Sequence, residues 1–413
     1  MVIYPFVVLL VCFYLKLKVS QNFIGLLLIV SLCFIVSMFS GFFLKYKLLS
    51  LFYMIPFLLL VFSNPSEKSA SGKDAVKLFF NCLTVIAIIN NIVGFIQVIL
   101  RPVSDDNFTG IYSTFSISLS GLVLLNAIIF YYYYSLYSLS SQRKHLIAAL
   151  FFLACSIMGF YGAGLIILIT AFVLSVFRFR LIAIFKTIII SLLVVAAVYY
   201  LLLLLKPSAL DYNIANLEKI ASFDIQNGPR KLTSFYNYAI SYPSNLKDFL
   251  FGSGPGTFNS RSAFMVGSPS YFSAGEILKS ENKPYYFENY AYTLWNENNT
   301  SQALFQDGFR NQPFSSLLAF MGEYGFIFFI AFAGSYYALF RRVSACAQKS
   351  DEKISGIYFR FFRFLFILLP LLLLIDNFLE YPEIILLIGV SMKLLHIELY
   401  KKSQHQPLTT DNA

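Results

Sequence analysis

Along most of this chain, apolar residues run in long blocks separated by short charged punctuation. The period-two alternation of a membrane barrel does not occur. Such blocks predict membrane-spanning helices, because a hydrocarbon core of about 30 Å takes about 20 apolar residues at the helical rise. Eleven spans are predicted, with a range of ten to twelve: about 2–15, 22–44, 48–63, 78–100, 116–139, 146–160, 162–177, 181–205, 315–340, 361–375 and 385–400. Residues 146–177 would be about 48 Å long as a single helix and are basic at both flanks (Arg143, Lys144; Arg178, Arg180). They read instead as a hairpin turning at Gly159 to Gly164.

One polar-rich stretch of 109 residues, Lys206 to Phe314, interrupts this pattern. The chain therefore divides into helices over 1–205, a large loop domain over 206–314, further helices over 315–402 and a solvated tail over 403–413. Within the loop, Asn227, Gly228 and Pro229 form a turn ahead of an amphipathic run carrying Leu232, Phe235 and Ile240, which places Arg230 at the start of a helix lying against the membrane. In the fourth span, Asn90, Gly94 and Gln97 share one face at spacings of four and three. Polar groups are costly in lipid, so that face is expected to turn inward, as helix glue or as a cavity lining.

Composition agrees with the pattern: 58% of residues are hydrophobic and 13% charged, with 46 Phe and 28 Tyr. The fold class expected is all-α, a polytopic transmembrane bundle with one large loop domain. The distribution of charge orients it. Of 22 Lys and Arg outside the long loop, 19 fall on one side in this topology and only Lys45, Lys47 and Arg101 on the other. The cation-rich side is expected to be cytoplasmic, which puts the long loop, residues 101–115 and the acidic Asp376 to Glu383 segment outside and the C-terminus inside. The Lys45/Lys47 pair fits this scheme badly.

The net charge of +10 does not point to nucleic acid, because nine cations in the loop are matched by nine carboxylates there and the excess is the topological signal. None of the five cysteines lies in the loop, so disulfides are not expected to hold it, and the first apolar run lacks the basic start and small-residue site of a cleavable signal peptide. The three histidines, His145, His396 and His405, all fall on or near the cytoplasmic side. A zinc site or a Ser-His-Asp triad in the loop is therefore not expected, and no cofactor is. GSGPGTF at Gly252 to Phe258 lacks the lysine and the strand-to-helix setting of a nucleotide loop.

The loop does offer cations, glycines and aromatics. Arg230, Lys231, Arg261 and Arg310 are candidates for a phosphate-bearing ligand, since a guanidinium fork gives two parallel hydrogen bonds; each is also an ordinary solvated side chain. Tyr271, Phe272, Tyr285, Tyr286, Tyr290, Tyr292 and Trp295 suit a glycan groove by stacking on sugar faces, or equally an interfacial belt or a small core.

Taken in order, FTGIYSTFSISLSGLVLLN (108–126), GPRKLTSFYNYAI (228–240), LFGSGPGTF (250–258), SSLLAFMGEYGFIFF (315–329) and IDNFLEYPEI (375–384) resemble the O-antigen ligase and polymerase superfamily of bacterial envelopes. The resemblance covers most of the chain from about residue 75 onward, and the succession of motifs carries it more than any single one. It implies a helical, C-type glycosyltransferase of the inner membrane, working at the periplasmic face without metal or nucleotide sugar. Its donor and acceptor would be oligosaccharides linked to undecaprenyl diphosphate, and a chain-length regulator protein would be a partner. Carried over by residue, Arg230 matches the family arginine ahead of the glycine segment, Gly252, Gly254 and Gly256 match that segment, and Glu323 with Gly325 matches the E-x-G after the loop.

On this reading Arg230, with Lys231, Arg261, Arg310 and Arg101, holds the diphosphate as the anomeric bond breaks, while Glu323 takes the acceptor proton. Asp105 or Asp106 is an alternative base, Trp295 a glycan contact, and Gly252, Gly254 and Gly256 contacts to the diphosphate or glycan. Two departures stand out. Asn311, Gln312 and Pro313 stand where ligases carry His-Asn, and Phe160, Tyr161 and Gly162 stand where many members carry Ser-Arg. The missing histidine favours an O-antigen polymerase over a ligase. A flippase or transporter is the third reading, disfavoured because one loop dominates and no internal repeat is visible.

Overall fold

The computed structural model describes residues 3–67, 69, 72–100, 108–114, 118–159, 162–176, 200, 203, 214, 218, 230–242, 244–268, 278–296, 312–350 and 352–404. The predicted eighth span at 181–205 falls almost wholly outside them, as do Arg101, Asp105, Asp106, Asn311 and Arg310. Among the described residues every regular element is helical, apart from one isolated antiparallel bridge between Lys18 and Asn64.

In chain order the helices are α1 (Tyr4–Tyr14), α2 (Gln21–Met38), α3 (Leu44–Phe62), α4 (Gly72–Leu100), α5 (Ser118–Ser140), α6 (Arg143–Met158) and α7 (Gly162–Val176), followed by three in the polar stretch, α8 (Arg230–Ile240), α9 (Leu246–Phe251) and α10 (Arg261–Gly267). The chain closes with α11 (Ser316–Glu323), α12 (Gly325–Gln348), α13 (Lys353–Ile375) and α14 (Pro382–Gln404). Among the described residues, six segments are long and apolar enough to cross a membrane: Gln21–Met38, Leu44–Phe62, Ala75–Leu100, Gly121–Ser140, Gly325–Gln348 and Lys353–Ile375. The chain is thus an all-helical protein with the makings of a multi-pass membrane bundle.

Two expectations change. The first predicted span is only 11 residues as a helix, about 16 Å, half the thickness of a bilayer core. The predicted helix over 315–340 is two helices, broken at Tyr324, with Gly325 at a φ of +79° opening α12. The predicted hairpin does break after Met158 and resume at Gly162, but its halves pack differently, α6 mainly against α5 and α7 mainly against α13.

The bundle is centred on α13 and α14, which pack on each other and on α3, α4, α5, α7 and α12. Phe57, Phe361, Leu365, Leu368, Leu372 and Ile388 are buried there, Tyr131 of α5 stacks on Phe361 and Phe364 at ring separations of 5.1 and 4.3 Å, and the buried Lys393 of α14 donates to the Val61 and Ser63 carbonyls at 3.1 and 2.6 Å. Large apolar side chains also face outward on α2, α4, α6 and α12, among them Leu28, Ile35, Ile92, Leu150 and Ile330. An exterior of this kind is stable where its solvent is hydrocarbon.

The inward-facing polar stripe of α4 acts as glue. Gln97 Oε1 accepts from the amides of Thr109 and Gly110, its Nε2 donates to the Gly110 carbonyl, Asn90 Oδ1 accepts from the Ile111 amide, and Gly94 lies against the Phe108 ring. Beside it, Asn91 and Asn126 exchange reciprocal amide hydrogen bonds of 2.8 and 2.9 Å. The polar stretch sits on one end of the bundle and shares its cores with the helices: Tyr46 of α3 packs with Phe264, Phe287, Trp295 and Phe314, and Leu318 of α11 packs with Tyr242, Phe258 and Tyr286.

Candidate functional site

At that end, three segments far apart in sequence meet: the glycine loop 252–260, the α11–α12 junction and the Asp376 to Glu383 connection. Glu323 is the centre of the first contact. Fully buried, its carboxylate accepts from the amides of Gly256 (2.6 Å), Phe258 (3.1 Å) and Ser260 (3.0 Å). The main chain continues the clamp, with Ser253 donating to the Gly322 carbonyl and Gly254 to the Glu323 carbonyl. Burial first, and the charge of Glu380 second, push the Glu323 carboxyl above the ordinary range, while the amide donors of Gly256 and Phe258 oppose them. Both of its oxygens are directed at loop amides, so Glu323 positions the loop. The expected role as general base does not fit this geometry.

The glycines have a packing role as well. Gly252, Gly254 and Gly256 all have positive φ, and a Cβ on Gly252 would lie 2.4 Å from the Glu323 main chain and one on Gly256 2.3 Å from the Tyr46 carbonyl. The amides of Gly252, Gly254 and Gly256 donate to Asp248, Glu323 main chain and Glu323 side chain respectively. The expected diphosphate contact from these glycines is therefore replaced by an internal one.

The second convergence gathers charge. Arg261, at the start of α10, is buried with its guanidinium 4.2 Å from the centroid of the Tyr381 ring. The next residue, Ser262, donates its amide (2.9 Å) and hydroxyl to the Glu380 carboxylate. Burial raises the Glu380 carboxyl to about 7, against the lowering effect of Ser262 and Arg261. Lys231 of α8 is also buried. Desolvation lowers its ammonium to about 8, and the nearby Asp376 carboxylate opposes that shift. Asp376 is raised by burial and held down in turn by Lys231, by the Asn377 amide and by Arg261. Asn259 and Asn377 tie the segments together: Asn377 Nδ2 donates to the Asn259 carbonyl (2.8 Å), and Asn259 Nδ2 to the Pro313 carbonyl (3.0 Å).

Of the expected site residues, Lys231 and Arg261 come together around Asp376 and Glu380. Arg230 is half-buried at the start of α8, with its guanidinium donating to the Leu294 carbonyl and burial as the cause of a lowered pKa. Trp295 is not a groove residue: it is buried against Phe314 in the small core with Tyr46 and Phe264, so its expected glycan contact is corrected to a packing role. Tyr286 and Tyr290 belong to a second small core, in which Tyr242 stacks on Phe258 at 4.9 Å and Tyr286 donates to Asp248 at 2.6 Å, whereas Tyr292 borders the Trp295 core, Tyr285 is exposed, and Tyr271 and Phe272 lie outside the described residues.

Asp376 and Glu380 were legible in sequence as an acidic stretch on the same side as the loop and as part of IDNFLEYPEI, with no role attached to either. Their pairing with Lys231 and Arg261 spans more than a hundred residues and has no local signal. What the arrangement can do chemically is bind an anion through buried cations and accept a proton on carboxylates whose affinity for it burial raises. No family model, no curated protein and no solved structure matches this chain.

Proposed function

We propose that this protein is a membrane glycosyltransferase that polymerises oligosaccharide repeat units carried on undecaprenyl diphosphate, an O-antigen polymerase working on the periplasmic side of a bacterial inner membrane. The observation that carries the proposal is the convergence of the glycine loop, the E-x-G junction and the IDNFLEYPE segment, which brings Lys231 and Arg261 beside Asp376 and Glu380.

In this reading Lys231 and Arg261, with Arg230, hold the diphosphate of the donor as its anomeric C–O bond breaks, and the negative charge that develops on the leaving oxygen meets cations. The hydroxyl of the acceptor sugar attacks the anomeric carbon and loses its proton. Asp376 is placed to take it: one oxygen accepts from the Asn377 amide at 2.6 Å, its main-chain carbonyl is fixed by Ser316, and the side chain is half-buried among cations. The reaction needs neither metal nor nucleotide, because the donor already carries its leaving group.

The test is a deletion strain examined by lipopolysaccharide gel. Loss of the ladder with a single repeat still on the lipid A core is the expected result. Complete loss of attached glycan, with polymer retained on the lipid carrier, identifies a ligase instead, and an unchanged ladder overturns both.

A further inference from the structure

A recess lies at the same end of the bundle, beside the small aromatic core that holds Tyr46, Phe264 and Phe287. It has a volume of about 700 Å³ and is formed between the α2–α3 turn, with Phe42, Phe43 and Lys45, and the 280–288 segment, with Glu281, Lys283 and Glu288. Its frame is fixed from below. Lys45 Nζ donates to the Lys279 carbonyl at 2.9 Å and Tyr46 Oη to the Asn282 carbonyl at 3.2 Å, while Tyr46 and Phe287 pack together in the core beneath.

Its lining is chemically specific. The two ammonium groups are already engaged, Lys45 with a carbonyl and Lys283 over the Tyr292 ring at 4.9 Å. The carboxylates of Glu281 and Glu288 are solvent-exposed and have no hydrogen bond or ion pair among the described residues. A phosphate or other anion would meet two open carboxylates and two occupied cations, which disfavours it. A polyhydroxylated ligand suits the same wall, since carboxylates accept strongly from hydroxyls and an exposed aromatic edge such as Phe42 covers the apolar face of a sugar ring. The volume lies within the range of small-ligand pockets, about 300–1,000 Å³, and accommodates several sugar residues.

We infer that this recess is an oligosaccharide-binding subsite, separate from the cation cluster, that holds uncharged sugar units of the growing glycan. It rests on the polymerase reading for its role in chain growth, and on the recess alone for binding. Holding the chain near the reacting end between additions would set how many repeats are joined before release.

The binding test uses the purified protein in detergent, the intrinsic fluorescence of Trp295, and the oligosaccharide released by mild acid from the same strain's O-antigen. Trp295 is the only tryptophan and belongs to the core that also holds Tyr292. Saturable quenching is expected for the wild type, weakened about tenfold in the Glu281→Gln/Glu288→Gln double variant. In cells the double variant should still join first repeats but yield a shorter modal length.

Phe42→Ala supplies a second variant at the opposite wall, so poor expression of one does not decide the matter. Absence of quenching in the wild type overturns the inference, as do unchanged binding and ladder in both variants. Quenching by phosphatidylglycerol vesicles in place of the oligosaccharide also overturns it. If instead the deletion strain keeps its ladder while the purified protein binds the oligosaccharide, the polymerase reading fails and the subsite stands.

Discussion

At the residue scale, Glu323 and Asp376 are two carboxylates with opposite consequences. Glu323 receives three loop amides, so Glu323→Ala leaves buried donors without an acceptor and should cost at least about 3 kcal/mol, at roughly 1–3 kcal/mol per orphaned group. Thermal unfolding in detergent should therefore shift strongly for Glu323→Ala and much less for Asp376→Asn. Turnover should be lost in both. If Asp376→Asn polymerises normally, the proton acceptor lies elsewhere.

Lys231 gives a pH signature. Its ammonium is lowered to about 8 in the folded protein, so a diphosphate probe such as farnesyl diphosphate should bind well below that pH and lose affinity as pH rises through it. Between about 8 and the free-lysine value of about 10.5 the folded state binds fewer protons than the unfolded one, so stability rises with pH across the same window. Affinity and stability should thus move in opposite directions, and Lys231→Met should remove both trends. The structural role of Glu323 could not be read from sequence, because a lone Glu in an apolar helix looks alike whether its partners are water or amides 63 to 67 residues away.

At the scale of elements, apolar periodicity located most of the long helices, because lipid-facing residues must be apolar whatever their partners are. It failed where a break falls within an otherwise apolar run. The 315–340 run carries a single charge, Glu323, yet the chain turns at Gly325, whose Cβ would sit 2.3 Å from the Leu250 carbonyl oxygen and whose φ is +79°. That turn sets Glu323 against the glycine loop while α12 departs along the bundle. Gly325→Ala combines a left-handed backbone, roughly 1–2 kcal/mol, with a main-chain collision that cannot relax by side-chain rotation. The expected outcome is a lowered melting temperature and reduced activity together, measured on the purified variant. An unaltered Gly325→Ala protein would mean the junction is not built as described. The aromatic cluster illustrates the same limit: composition marked it as a unit, but Trp295 and Tyr286 face inward because Phe314 and Asp248 meet them there.

At the scale of the whole molecule, the two ends of the bundle differ in charge chemistry. One end carries Lys16, Lys18, Arg341, Arg342, Lys349, Lys401 and Lys402, where Lys401 donates to the Ser69 carbonyl and Lys402 pairs with Glu352. The other end carries the cluster and the recess. The Lys45/Lys47 pair, which fits the charge rule badly, lies at this second end. Lys47 Nζ donates to the Ser37 and Gly41 carbonyls at 2.9 Å each, and Lys45 bonds the Lys279 carbonyl. Cations bound to helix-terminal and loop carbonyls have a structural role, which accounts for their place at this end of the bundle.

A direct consequence can be measured. In a background lacking the five native cysteines, Phe42→Cys and Tyr285→Cys, both at exposed positions, should react with a membrane-impermeant maleimide added to intact spheroplasts. Gln404→Cys should react only after the membrane is opened. Reaction of Phe42→Cys and Tyr285→Cys from opposite sides would contradict the packing of α3 against the 280–288 segment. Reaction of both only from the cytoplasm would leave that packing intact and remove the lipid-linked glycan from reach, because the polar end would then face away from the periplasm.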